Sequence, residues 1–273
     1  MKLFDGILIC TDLDGTLLDS KKQISDENKE AIEYFKSRGG KFTFITGRMP
    51  FYATDTYKAI NPNAPFGCGN GCGVYDHVTK EYLWNMPMRD DALELTEYAD
   101  NSIENLGVMV NTFDNVYFCS NNQATESFRR LTGMPNLTRG YDEINEPVAK
   151  IVFADTDSKK IDRLERLLMS HPKASSFDFI RSERTLFEIL TKGLNKGSVM
   201  LKIAELTGIK KSKTVAIGDY DNDISMIRAA GVGVAVANAS QGAKDAADYT
   251  TVSNNENAIA KLIYDIESGK IEI

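Results

Sequence analysis

The chain has 273 residues, of which 42% are hydrophobic and 26% charged, and its formal net charge is −7. This composition is that of a folded protein with one large domain or two smaller ones, and we favour two. The negative charge argues against nucleic acid and anionic membranes as partners. No apolar run approaches the roughly 20 residues of a membrane span, and the N-terminal stretch is too short and acidic for a signal peptide. The four cysteines form no CxxC pair, so we expect a cytoplasmic protein without a zinc site.

The first predicted element is a buried strand that starts at Ile7 and leads into Asp12, Leu13, Asp14 and a Gly-Thr turn. Open α/β sheets bind ligands at this end of their strands. If the backbone stays extended, the carboxylates of Asp12 and Asp14 point to the same side. Two acids this close indicate either a divalent cation or one acid kept protonated for proton transfer. A plain turn that also caps a helix is the alternative.

A predicted helix and a second strand follow, which completes the strand–helix–strand pattern of a parallel sheet. The second strand, 41–45, ends in Thr46, Gly47 and Arg48. Taken alone, these residues would be a helix cap and a surface arginine. A further helix predicted over 52–60 would direct its positive dipole end towards an anion here.

The middle of the chain, 85–190, alternates predicted hairpins with predicted helices. This pattern is typical of an α+β module with an antiparallel sheet. We expect it to be an inserted cap domain, so that 1–84 and 191–273 form the two parts of a core. Neither boundary carries a long Gly/Ser linker, and each is placed to within several residues.

Two more groups of polar residues follow the insertion. Lys196 lies at a predicted helix start, where the helix dipole does not favour a positive charge, so its position needs another reason. The alternative is an exposed surface lysine without a role in a site. The next predicted strand ends in Gly-Asp-Tyr-Asp-Asn-Asp, 218–223. If a helix starts at Asp219, then Asp223 is one turn away and Asn222 lies on the neighbouring face, so that their oxygens converge. Such a cluster suits Mg²⁺, although acids that only cap a helix would have the same sequence.

These four groups, in this order and each at a predicted strand end or helix start, resemble the four motifs of the haloacid dehalogenase superfamily. The matching strings are DxDGTLL, Thr-Gly-Arg, Asn-Lys-Gly and GDxxND. The Asn70-Gly71 pair with its following hairpin resembles the Cof-type branch, subclass IIB. The resemblance implies an α/β fold: a Rossmann-like parallel sheet core with an inserted α+β cap domain. It also implies a phosphoric monoester hydrolase.

The resemblance implies a role for each motif residue. Asp12 is the expected nucleophile that takes the phosphoryl group, and Asp14 the acid/base that serves the leaving group and then water. The residues expected to contact the substrate phosphate are Leu13, Thr46, Gly47, Arg48, Lys196 and Asn222. The residues expected to hold Mg²⁺ are Asp12, Asp14 through its backbone carbonyl, Asp219 and Asp223.

These roles predict a Mg²⁺-dependent phosphatase of small phosphorylated metabolites that works through an aspartyl-phosphate. Sugar phosphates are the default substrates, with phosphorylated cofactors as the other class. A phosphomutase of the same superfamily and a non-catalytic phosphometabolite-binding regulator are the alternatives. Because the core motifs bind only phosphate, metal and the reacting oxygen, we expect the inserted module to close over the site and discriminate among metabolites. Both a monomer and a homodimer are compatible with the sequence.

Overall fold

A computed structural model gives the fold of the chain and describes residues 3–273. The chain forms two compact units. The first contains the residues up to Arg48 together with 53–84 and 195–273, and the second contains 49–52 and 85–194. Across residues 3–273, no helix has the length and apolar composition needed to cross a bilayer.

The first unit opens with alternating strands and helices. Its elements before the long insertion are β1 (Leu8–Thr11), α1 (Asp26–Ser37), β2 (Lys41–Phe44), α2 (Thr54–Ile60), β3 (Phe66–Cys68), β4 (Gly73–Asp76) and β5 (Glu81–Asn85). Helix α1 begins where the Ser25 side chain accepts a hydrogen bond from the Asn28 N–H, at 3.2 Å. Its buried face carries Ala31, Ile32 and Phe35 at helical spacing. This is the helix that the sequence pattern predicts.

The second unit is built on one antiparallel sheet. Its elements are α3 (Ala92–Ser102), β6 (Gly107–Thr112), β7 (Val116–Ser120), α4 (Gln123–Thr132), β8 (Val148–Ala154), α5 (Ser158–Met169), β9 (Phe177–Glu183) and β10 (Leu186–Thr191). The strand order is β7-β6-β8-β10-β9, and all neighbours are antiparallel. One core holds the sheet and its helices together, with Phe153 from the sheet, Leu95 from α3 and Leu164 from α5.

The chain then returns to the first unit. The remaining elements are α6 (Lys196–Thr207), β11 (Thr214–Gly218), α7 (Ile224–Ala229), β12 (Val232–Ala235), α8 (Gln241–Ala246), β13 (Tyr249–Thr250) and α9 (Ala258–Glu267). The central sheet has the order β13-β12-β11-β1-β2, and every pair is parallel. Strand β1 is buried along its length because a parallel sheet is covered on both faces. A parallel α/β core with an additional antiparallel sheet confirms the predicted fold class.

The segment that follows β2 differs from its predicted structure. The helix expected over 52–60 is divided into a 3₁₀ turn at Pro50–Tyr52 and α2, which begins only at Thr54. Phe51 and Tyr52 pack against an apolar cluster of the second unit that includes Phe118. This packing separates the turn from the helix, and it explains why 49–52 belongs to the second unit.

Candidate active site

Three neighbouring strands of the central sheet end at the same edge. Strand β1 lies between β2 and β11, and the three are parallel, so their carboxyl ends meet. The residues just beyond these ends are Asp12 after β1, Thr46 near the end of β2 and Asp219 after β11. Topology thus brings together motifs that lie more than 200 residues apart in sequence.

Lys196 joins two carboxylates at this edge. Its Nζ donates hydrogen bonds to Asp12 Oδ1 and to Asp223 Oδ1, both at 2.6 Å, and its side chain is 1% exposed. Asn195 caps α6 by accepting a hydrogen bond from the Ser198 N–H at 3.0 Å, which makes Lys196 the first residue of the helix. The helix dipole disfavours a lysine there, and the two carboxylates provide the compensation.

The acidic loop after β11 is a 3₁₀ turn over Asp221–Asp223, and α7 begins at Ile224. The condition of a helix starting at Asp219 is therefore not met, although Asp219 and Asp223 still come together. The reason is that Asp223 Oδ2 accepts hydrogen bonds from the N–H groups of Asp219 (2.9 Å) and Tyr220 (3.1 Å), which folds the loop back over its own start. This leaves Asp223 Oδ1 to accept from Lys196.

Asp12, Asp219 and Asp223 form a group of three carboxylates. One oxygen from each lies within 4.8 Å of the others, which suits a hard divalent cation such as Mg²⁺. The side chain of Asp14 is not part of this group. Its expected ligand atom is a backbone carbonyl, so that part of the hypothesis remains a prediction.

The charges in this group are unbalanced. Burial raises the pKa of Asp12 to about 8, with the charge of Asp223 as the second cause, while Lys196 opposes the shift. Burial and Asp223 likewise raise the pKa of Asp219 to about 6. Burial alone would lower the pKa of Lys196, but the two carboxylates raise it. Three acids around one lysine therefore form a site whose negative charge a divalent cation would offset.

The turn after Asp14 approaches Asp219 closely. Gly15 has a φ of +83°, and a Cβ at this position would overlap the Asp219 carboxylate. Thr16 Oγ1 donates a hydrogen bond to Asp219 Oδ1 at 3.0 Å, and Asn238 Nδ2 donates to the Gly15 carbonyl at 2.8 Å. Sequence reasoning assigned no role to Thr16, although it lies within the DxDGTLL string, and nothing in the sequence pattern indicated Asn238.

Asp14 is held by two cations. Arg48 Nη2 donates to Asp14 Oδ1 at 3.0 Å and to Oδ2 at 2.9 Å, and Lys22 Nζ donates to Oδ1 at 2.7 Å. Burial acts in the opposite direction, but Arg48 and Lys22 hold the pKa of Asp14 below its usual range. In this arrangement Asp14 is an ionised acceptor. Lys22 was not among the predicted site residues.

The backbone is not extended from Asp12 to Asp14. An extended backbone was the condition under which both carboxylates would point to the same side. Strand β1 ends at Thr11, and the Leu13 carbonyl accepts hydrogen bonds from the N–H groups of Thr16 (3.3 Å) and Leu18 (2.8 Å). The side chain of Leu13 is fully buried, so only its backbone is available to a phosphate. This turn accounts for the different partners of Asp12 and Asp14.

Thr46 and Gly47 lie beside two asparagines. The Asn70 N–H donates to the Thr46 carbonyl at 3.0 Å, and Asn222 Nδ2 donates to Asn70 Oδ1 at 3.2 Å. A Cβ at Gly47 would lie 3.0 Å from Asn70 Nδ2. Asn70 is thus a neighbour of the site, a position that the resemblance of the Asn70-Gly71 pair to the Cof-type branch does not by itself predict. The signal in the sequence is the Asn-Gly pair, because asparagine tolerates the left-handed region better than most residues, and Asn70 has a φ of +58°.

The model of the haloacid dehalogenase-like hydrolase family matches residues 9–263. The chain belongs to the haloacid dehalogenase-like hydrolases. It is 31% identical to the putative phosphatase YxeH of Bacillus subtilis, over 96% of this chain and 99% of that relative. It is 28% identical to the 5-amino-6-(5-phospho-D-ribitylamino)uracil phosphatase YitU of the same organism, over 94% of this chain and 96% of the relative.

Among solved structures, a haloacid dehalogenase-like hydrolase from Bacteroides thetaiotaomicron is similar to the chain with a TM-score of 0.84 at 26% identity. The similarity covers 95% of this chain and 99% of that one. These findings confirm the family expected from the four motifs. They also confirm the expected enzyme class, so this haloacid dehalogenase-like hydrolase is a phosphoric monoester hydrolase.

Proposed function

We propose that the protein is a Mg²⁺-dependent phosphatase of small phosphorylated metabolites and that Asp12 forms an aspartyl-phosphate during turnover. The observation that carries this proposal is the position of Asp12, buried at the end of β1 with one oxygen 2.6 Å from Lys196 Nζ and two further carboxylates beside it. A carboxylate in such a setting has the positioning and electrostatic support that phosphoryl transfer requires.

Mg²⁺ would be held by Asp12, Asp219 and Asp223, with the backbone carbonyl of Asp14 as a further ligand. When bound, the cation supplies charge neutralisation for the phosphate and for the carboxylates around it. Burial and the negative charge of Asp223 together raise the pKa values of Asp12 and Asp219, and a cation bound here would offset that charge, which supports this assignment. Lys196 is the residue of the chain that favours the ionised, nucleophilic form of Asp12.

The phosphate would be bound by donors at and just beyond the edge of the sheet where Asp12 lies. Those available are the Thr46 hydroxyl, the backbone N–H groups of Leu13 and Gly47, the Asn222 amide and the Lys196 ammonium group, and Arg48 lies next to them beside Asp14. In the first step, an Asp12 oxygen bonds to phosphorus while the bond to the leaving oxygen breaks. The leaving oxygen takes a proton from Asp14.

In the second step, water gives a proton to Asp14 and attacks phosphorus, and the bond to Asp12 breaks. The ionised state in which Arg48 and Lys22 hold Asp14 suits this second role as a base. For the first role, Asp14 has to carry a proton, so we expect its contacts with these cations to weaken when substrate binds.

Sugar phosphates and related polyol phosphates are the substrates we propose. Support comes from the relative YitU, whose named substrate carries a phosphorylated ribityl chain. The net charge of −7 favours a small metabolite over nucleic acid or a membrane as partner. We further propose a cytoplasmic enzyme that acts as a monomer or a homodimer.

The test is phosphate release from a panel of phosphorylated metabolites, with Mg²⁺ and with chelator, using Asp12→Asn as the inactive control. The proposal predicts release that depends on both Mg²⁺ and Asp12. Interconversion of phosphate isomers without release would instead identify a phosphomutase. Tight binding with neither reaction would identify a regulator.

A further inference from the structure

An open cleft of about 520 Å³ lies within the first unit. It runs between the loop that leads from β1 to α1 and the helix α2, and its lining includes Leu18, Lys22, Ile24, Arg48 and Ala59. Its volume falls in the range of roughly 300–1,000 Å³ that is usual for small-molecule sites. The functional assignments made above use only Arg48 and Lys22 from this lining.

Two shared side chains connect the cleft to the acid/base residue, although Asp14 itself does not line the cleft. Lys22 and Arg48 line it, and the same two side chains hold the carboxylate of Asp14 at 2.7–3.0 Å. A leaving-group oxygen that exchanges a proton with Asp14 must lie within hydrogen-bond distance of that carboxylate. The rest of the leaving group is then next to the cleft.

Lys22 is held in place by its own turn. Asp19 Oδ1 accepts hydrogen bonds from the N–H groups of Lys21 (2.8 Å) and Gln23 (2.9 Å), and the Lys22 N–H donates to the Asp19 carbonyl at 3.0 Å. Within this turn Lys22 has a φ of +61°, a left-handed conformation that is unfavourable for a non-glycine residue. The turn therefore fixes one wall of the cleft and directs the ammonium group to Asp14.

The lining is polar but electrically balanced. Its three cations face an equal number of carboxylates, which are Asp19, Asp26 and Asp55. All three cations already have a carboxylate partner: Lys29 is paired with Asp26 at 2.9 Å, and the other two hold Asp14. A second phosphate or carboxylate on the substrate would meet as much repulsion as attraction here. Hydroxyl groups can use both donors and acceptors, and Leu18, Ile24 and Ala59 provide apolar surface for carbon atoms.

The geometry points to this cleft as the binding site for a neutral, polyhydroxylated leaving group, so that the first unit carries part of the substrate specificity itself. This inference rests on the phosphatase function proposed above and deepens it. It differs from the expectation that the inserted module alone discriminates among metabolites.

The test fills the cleft without touching the catalytic residues. Ala59 and Lys58 are adjacent exposed residues of α2, and only Ala59 lines the cleft. Ala59→Trp is compared with Lys58→Trp, and Ala59→Leu gives an intermediate size. The full-length enzymes are assayed with glucose 6-phosphate and sorbitol 6-phosphate, and with acetyl phosphate as a small substrate that does not need the cleft. Melting temperatures confirm that each variant is folded.

The inference predicts that Ala59→Trp lowers kcat/KM for the two polyol-type phosphates about tenfold or more and changes acetyl phosphate hydrolysis by less than about twofold. Ala59→Leu lies between the wild type and Ala59→Trp, and Lys58→Trp behaves as the wild type. Equal effects of Ala59→Trp on all three substrates, or none, would overturn the inference. So would a wild-type enzyme that cleaves acetyl phosphate but neither polyol-type phosphate, and in that case the phosphatase function stands. No Mg²⁺-dependent hydrolysis of any substrate in the wider panel would overturn the proposed function itself.

Discussion

Replacing Lys196 with methionine removes one buried charge and leaves its two partners in place. Lys196 Nζ lies 2.6 Å from oxygens of both Asp12 and Asp223, and Asp223 is fully buried. Removal of one partner from a buried ion pair typically costs about 3–5 kcal/mol, because the remaining charge is not compensated. Methionine nearly preserves the volume, so the loss of charge dominates. We expect the free energy of unfolding to fall by about 3 kcal/mol or more at pH 8 in chelator.

The penalty should depend on pH. Lys196 is the group that lowers the pKa of Asp12, so its loss raises that pKa further, and protonation at low pH then relieves the uncompensated charge. The difference between wild type and variant should therefore shrink at pH 5.5. Activity should fall by about 10³-fold at either pH, since the variant lacks a charge that we propose stabilises the transferring phosphoryl group.

The assay is urea unfolding followed by the fluorescence of Trp84, the single tryptophan, which packs against a core cluster of the first unit. The control is Lys202→Met on the same helix, where the lysine forms a partly exposed pair with Glu205 at 2.9 Å. Such pairs contribute about 0–1 kcal/mol. The reasoning is refuted if Lys196→Met and Lys202→Met differ by less than about 1 kcal/mol at pH 8.

Three further predictions concern the proton, the cation and the turn. Asp14→Asn should lower kcat/KM more for glucose 6-phosphate than for acetyl phosphate, because only the poor leaving group needs its proton, and equal losses would make Asp14 structural. The melting temperature of the metal-free protein should fall from pH 5 to pH 8. Because the pKa values of Asp12 and Asp219 are raised in the native state, the native state binds more protons than the unfolded state in this range, and stability is lost as the pH rises through these pKa values. Saturating Mg²⁺ should reduce this fall, and an identical slope would argue against these carboxylates as the metal site. Gly15→Ala should weaken Mg²⁺ binding in calorimetry because the added Cβ displaces Asp219. Gly6→Ala is the control: Gly6 has a similar φ of +80° but open space around it, so this variant should keep the affinity of the wild type. Equal Mg²⁺ affinities of the two variants would show that the close approach of Gly15 to Asp219 does not matter.

The sequence predicts most of the central sheet because its strands are apolar runs of typical strand length, and each run ends at polar residues or glycines that favour a turn. Helix α5 (Ser158–Met169) also follows a clear pattern, because its buried residues Ile161, Leu164 and Leu168 recur at helical spacing. Chain order then determines which strand ends meet, and so Asp12, Lys196 and Asp223 are found together as their motifs indicated. Local pattern and topology agree at these residues.

Features that depend on tertiary contacts were not accessible from the pattern. The turn at Asp221–Asp223 replaces a helix because the Asp223 side chain competes for backbone N–H groups. Strand β13, with two residues, is too short to produce a periodic signal. Lys22 and Asn238 reach the site through loops whose course is set by folding, and no spacing rule links them to Asp14 or Gly15.

The central claim is that Asp12 becomes phosphorylated, and peptide mapping of the trapped enzyme tests it most directly. Enzyme mixed with excess substrate and Mg²⁺ is quenched in acid within one turnover, and the acyl phosphate is reduced with borohydride before digestion and mass spectrometry. The account predicts homoserine in place of aspartate at position 12, and no such product in Asp12→Asn or without substrate. Steady phosphate release with an unmodified Asp12, or modification at another carboxylate in its place, would contradict the account.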